Sequence, residues 1–160
     1  MNFFNNLFTS LTNPKTPNGF VKKFLVESKR KYCQLELFYK EEIILQAESL
    51  RHVPIWMEWA NVDKTIFHNG IVVHFFIQKK DLAESSIYKR YVLNKERLNM
   101  IEFEDEELGI INFTYFFKSS ADYMDIAIYM KKVIDNTLQF KENNPQILFN
   151  IRYLKIERQN

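Results

Sequence analysis

Cysteine occurs once in this sequence of 160 residues, as Cys33. An internal disulfide is therefore impossible. Secreted domains of this size often carry paired cysteines, so a reducing, cytoplasmic setting is expected. Glycine is almost as scarce. Gly19, Gly70 and Gly109 are scattered along the chain, whereas a phosphate cradle needs clustered glycines so that backbone N–H groups can approach an anion. The known nucleotide-loop motifs are excluded on that ground. Long hydrophobic runs are also missing: no stretch approaches the roughly 18 apolar residues of a membrane span. Met1 to Leu11 contain neither Lys nor Arg, unlike a secretory signal. Nor is there an excess of one charge. The 22 basic and 20 acidic side chains leave a net charge of +2, too little for the electrostatic footprint of a dedicated nucleic-acid binder.

What is present describes a globular chain. Hydrophobic residues make up 46% and charged residues 26%, the proportions of a packed domain, and the length suits one domain. Asn, Lys, Ile, Phe and Tyr are used heavily and Ala sparingly. All five favoured types have AT-rich codons, so the aromatic surplus is weak support for an aromatic binding surface.

Phe3, Phe4, Leu7, Phe8 and Leu11 share one helical face. Pro14, Pro17 and Gly19 then read as a turn. Residues 1–18 are thus expected to form an amphipathic segment and turn, and residues 19–160 a single α+β domain. From Phe20 to Val53 there is no Gly or Pro, and Val21, Leu25, Ser28, Tyr32, Leu35, Tyr39, Ile43, Ala47 and Leu50 recur in steps of three and four. That spacing predicts one long helix ending before Pro54. A strand at Cys33–Tyr39 is the competing reading, and Phe38 spoils its alternation.

Ile55 to Ala60 reads as a short aromatic strand. Asn69-Gly70 between apolar runs predicts a hairpin with Lys64–His68 paired to Ile71–Phe75. That register sends His68 and His74 to opposite sheet faces, where they cannot share a metal. Asp81 and Glu84 look like the capping box of a middle helix reaching about Leu93. Leu98 to Phe103 and Ile110 to Phe117 read as a second hairpin. Ser119 or Ser120 is expected to cap a helix from about Ala121 to Phe140 that buries Ile126, Met130, Val133 and Ile134. Ile147 to Leu154 alternates as a last strand. The expected fold is α+β: one domain with a mostly antiparallel sheet of about five to six strands, flanked by a long N-terminal helix, a short middle helix and a C-terminal helix.

Motifs of catalysis are wanting. Ser86-Ile87-Tyr88-Lys89 and Ser28-Lys29-Arg30-Lys31 both fit the S-x-x-K spacing of serine acyl-transferases, but the accompanying S-D-N and K-T-G motifs are absent. Cys33 has no cysteine neighbour with which to share a zinc ion. Glu102, Glu104, Asp105, Glu106 and Glu107 lack the glycine and spacing of a calcium loop and suit a solvated hairpin tip. Lys22, Lys23, Lys29, Arg30 and Lys31 form a basic stretch, balanced further on by Glu36, Glu41, Glu42 and Glu48.

No catalytic, cofactor-binding or metal-binding residue is assigned, and no cofactor is expected. The expected function is a non-catalytic protein-binding module: an adaptor, a small cytosolic chaperone or a toxin-neutralising partner. Its partner would be another protein or a second copy of the chain. The contacts would come from Phe3, Phe4, Leu7 and Phe8, and from Trp56 and Trp59, since tryptophan is enriched at interface hot spots. A membrane is not expected, because the polar side of the N-terminal stripe offers Asn5, Asn6 and Ser10 in place of Lys or Arg. Nucleic acid is the first alternative, in a subunit of an assembly such as an organellar ribosome, favoured by the basic stretch and by Arg152, Lys155 and Arg158. An enzyme with a dispersed site, drawing on groups such as His74 and Glu58, is the second.

Overall fold

The structure, a computed structural model, describes residues 16–137 and 147–155. The elements are α1 (Pro17–Glu27), β1 (Cys33–Tyr39), β2 (Glu42–Ser49), α2 (Ile55–Trp59), α3 (Lys64–Phe67), β3 (Ile71–Gln78), α4 (Ser86–Leu98), β4 (Ile101–Asp105), β5 (Ile110–Phe117), α5 (Tyr123–Thr137) and β6 (Leu148–Tyr153). The six described strands form one sheet in the order β4-β5-β3-β2-β1-β6, with every neighbouring pair antiparallel. The α+β single-domain expectation therefore holds. Its N-terminal part is built differently.

Thr16 caps α1 by accepting the Gly19 N–H, and Pro17 occupies the start of the helix, where its missing N–H is no loss. The helix thus opens inside the stretch expected as a turn. The long helix expected from Phe20 to Val53 is not formed: α1 stops at Glu27, and two strands follow. Lys40 and Glu41 both adopt positive φ (48° and 68°), the left-handed backbone of the tight turn that suits paired strands. Leu35 then faces Ala47 and Leu37 faces Leu45, and all four are buried. The break in alternation at Phe38 has a structural cause, a register shift between Leu37 and Phe38.

Two further expectations fail in the next segment. Ile55 to Ala60 is not a strand, because a helical turn lets Trp56 and Met57 together reach the sheet. Lys64–His68 is not a strand either. Asp63 accepts the Thr65 N–H and starts a single helical turn. The Asn69-Gly70 hairpin is accordingly absent, and Gly70 serves another purpose: a Cβ there would lie 1.9 Å from the Phe117 carbonyl oxygen. Only glycine allows this close backbone approach.

Ser85, not Asp81, caps the middle helix by accepting the Tyr88 N–H. That helix runs past Leu93 to Leu98 and ends on left-handed Asn99 (φ 53°), so β4 begins at Ile101 and not at Leu98. Asp122, not Ser119 or Ser120, caps α5. Its carboxylate accepts from the N–H groups of Met124 and Asp125, while Asp125 accepts from the Asp122 N–H. Ile126, Met130 and Val133 are buried as expected, and Ile134 is half-buried. The expected end of this helix at Phe140 lies outside the described residues.

The sheet is covered unequally. α1, α4 and α5 pack on one face around Phe24, Leu35, Val73, Tyr91, Phe113 and Ile126. On the other face α2 and α3 make a smaller cover, with Trp56, Met57, Val72 and Phe116 at its centre.

Candidate functional site

The less covered face carries the polar groups. Register places Glu36 of β1, Gln46 and Glu48 of β2, His74 of β3 and Thr114 of β5 on it, and all are buried. Glu48 is the hub. Its Oε1 accepts from Gln34 Nε2 (2.8 Å) and from His74 Nε2 (3.0 Å), and its Oε2 accepts from the Tyr32 hydroxyl (3.0 Å). A carboxylate only accepts, so His74 holds its proton on Nε2. Burial pushes the Glu48 carboxyl upward, but the hydrogen bonds from His74, Gln34 and Tyr32 outweigh it and hold the group below the usual carboxylate range. Burial and the neighbouring Glu48 drive the Tyr32 hydroxyl well above its ordinary value. The Trp56 ring lies over His74 at 4.3 Å, and the remaining ring nitrogen, Nδ1, has no hydrogen-bond partner among the described residues. The arrangement orients an imidazole and then seals it, with 1% of His74 exposed.

The two tryptophans singled out from the sequence part company. Trp56 is buried between His74, Phe103 and Trp59. Trp59 meets it edge to face at 5.3 Å and 79° and is itself 43% exposed. Ile55, one turn earlier on the same face of α2, is also exposed. Phe3, Phe4, Leu7 and Phe8 lie outside the described residues.

Several of the other sequence candidates have local partners. Lys89 Nζ donates to the Ala83 carbonyl (3.1 Å), and Ser28 Oγ to the Leu25 carbonyl (3.3 Å). Glu102 pairs with Lys95, and Glu104 with Lys79. Lys22 sits over the Tyr123 ring at 4.1 Å, and Lys31 pairs with Glu27 at 3.6 Å. Burial pushes the Cys33 thiol up to about 11, far from a reactive thiolate. His68 ends α3 in solvent while His74 is buried. No group of three or more His, Cys, Asp or Glu that could hold a metal ion occurs among the described residues. No described helix is long and apolar enough to cross a membrane.

One feature had no signal in the sequence. β2 and β3 pair only from Gln46↔His74 to Ser49↔Ile71. Beyond His74 they diverge: among the described residues, 75–78 of β3 pair only with β5, and 42–45 of β2 only with β1. A cavity of about 790 Å³ fills the wedge, lined by Ile43, Gln46, Phe76 and Gln78 and by Ser85 and Ile87 at the start of α4. Tyr91 of α4 contacts both strands beside it. Its hydroxyl donates to the Ile44 carbonyl (2.6 Å), and its ring stacks on Phe75 at 4.3 Å. Sequence spacing marks where strands run but not where two neighbours part.

No family model, no curated protein and no solved structure matches the chain.

Proposed function

We propose that the chain is a non-catalytic protein-binding module whose contact surface includes the outer face of α2. One observation carries this reading. Trp59 stands in solvent beside Ile55, yet its ring is braced edge to face against buried Trp56. A large aromatic group held rigidly at the surface loses little side-chain freedom on binding, which is what makes tryptophan a hot-spot residue. The sealed state of His74 and Glu48, and the local partners of Ser28, Lys31 and Lys89, favour binding over catalysis. The single buried thiol favours a reducing, cytoplasmic setting.

Photo-crosslinking tests the reading. With a benzophenone amino acid in place of Trp59, irradiation in the native host should give one dominant protein adduct. Trp59→Ala should lose the same partner in co-purification while its unfolding midpoint stays close to that of the parent. A Trp59→Ala protein that retains every partner would refute the assignment of this surface.

A further inference from the structure

We propose that the wedge between β2 and β3 takes an extended peptide that pairs with the edge of β3 left uncovered by the described strands, and that basic and apolar side chains alternate along it. This deepens the protein-binding reading and rests on it. The first argument is the direction of the backbone. The Leu50 N–H donates to the Gly70 carbonyl (2.9 Å), and bonded pairs in an antiparallel ladder recur at every second residue. Even-numbered residues of β3 therefore aim their N–H and C=O at β2, and odd-numbered ones at β5. The bond from the Lys79 N–H to the Gly109 carbonyl (2.9 Å) agrees with that parity. Phe76 and Gln78 consequently direct their backbone groups into the wedge, past the end of the β2 ladder. A strand edge left open in this way is a template for another extended chain.

The second argument is charge. Glu42 on one wall and Asp81 and Glu84 on the other line the cavity, against a single cation, Lys80. All four are exposed, and no ion pair engages them among the described residues. Ile43 and Phe76, also in the lining, are 36% and 43% exposed. Side chains alternate between faces along a strand. Successive residues of the incoming peptide thus meet carboxylates on one side and Ile43 with Phe76 on the other.

The probe is a fluorescein-labelled octapeptide alternating lysine and valine, measured by anisotropy with the full chain. Saturable binding is expected, weakening as salt is added. Amide hydrogen exchange should slow at Phe76 and Gln78. The doubly substituted Glu42→Lys, Glu84→Lys protein should bind at least tenfold more weakly, and an octapeptide alternating glutamate and valine should not bind the parent. No saturable binding, equal binding of the glutamate peptide, undiminished binding by the charge-reversed protein, or slowed exchange confined to residues outside the wedge would each overturn the proposal. Failure here with a Trp59 crosslink still obtained removes the wedge but not the binding module. Failure of both removes both.

Discussion

Replacing Glu48 by alanine leaves three donors, from His74, Gln34 and Tyr32, without their acceptor. Removing one partner of a buried pair costs about 3–5 kcal/mol. Glu48→Ala should therefore lower folding stability by about that amount in urea denaturation, and Glu48→Gln, which keeps shape and one acceptor, by less. Acid should act through the same residue. Folding depresses the Glu48 carboxyl, so its contribution is complete above the unfolded value of about 4.3. It is lost as the pH falls below that value towards the folded one. Below about pH 4.3 the parent should lose stability more steeply than Glu48→Gln. Parallel curves would show that Glu48 is not the acid-sensitive group.

Among the elements, legibility followed the range of the signals. β5, α5 and β6 were readable because their own residues decide them: the apolar run of β5, the spacing of Ile126, Met130 and Val133, and the alternation around Phe149 and Ile151. β1 and β2 stand where a helix is expected because Leu35 and Tyr39 fit a helical spacing as well as a strand. What decides for the strand is Ala47 and Leu45 across the ladder and a turn of Lys40 and Glu41 that bears no glycine or asparagine. The Asn69-Gly70 pair misled in the opposite sense, since its glycine answers to the Phe117 backbone. Of the proposed contact surface only Trp59 was visible beforehand, because the wedge depends on where two ladders part. The two described glycines outside α1 separate these causes experimentally. Gly70→Ala drives a Cβ into a backbone oxygen at 1.9 Å and should cost about 3 kcal/mol or more. Gly109→Ala meets no atom within 4 Å and strains only its φ of +63°, at about 1 kcal/mol. Equal midpoints for the two variants in chemical denaturation would contradict this division.

At the scale of the whole molecule, β6 joins the sheet through β1, its one strand partner among the described residues. Ending the chain at residue 146 would leave β1 as an open edge with Leu35 and Leu37 behind it, and exposed apolar edges invite association. Such a fragment should elute as aggregate in gel filtration. A synthetic peptide of residues 147–155 added in trans should restore the monomer. A truncated chain that stays monomeric unaided would show that β6 adds nothing to closure.

The pairing of β1 with β6 also has a temporal side. Glu36 and Asn150, joined across that ladder, stand 114 residues apart. At about 5–20 residues per second of synthesis, roughly 6–23 s separate the emergence of the two from the ribosome. Throughout that interval the nascent chain presents a half-paired strand to its surroundings. Sheltering this unfinished border during translation therefore bears on how much folded protein the cell obtains.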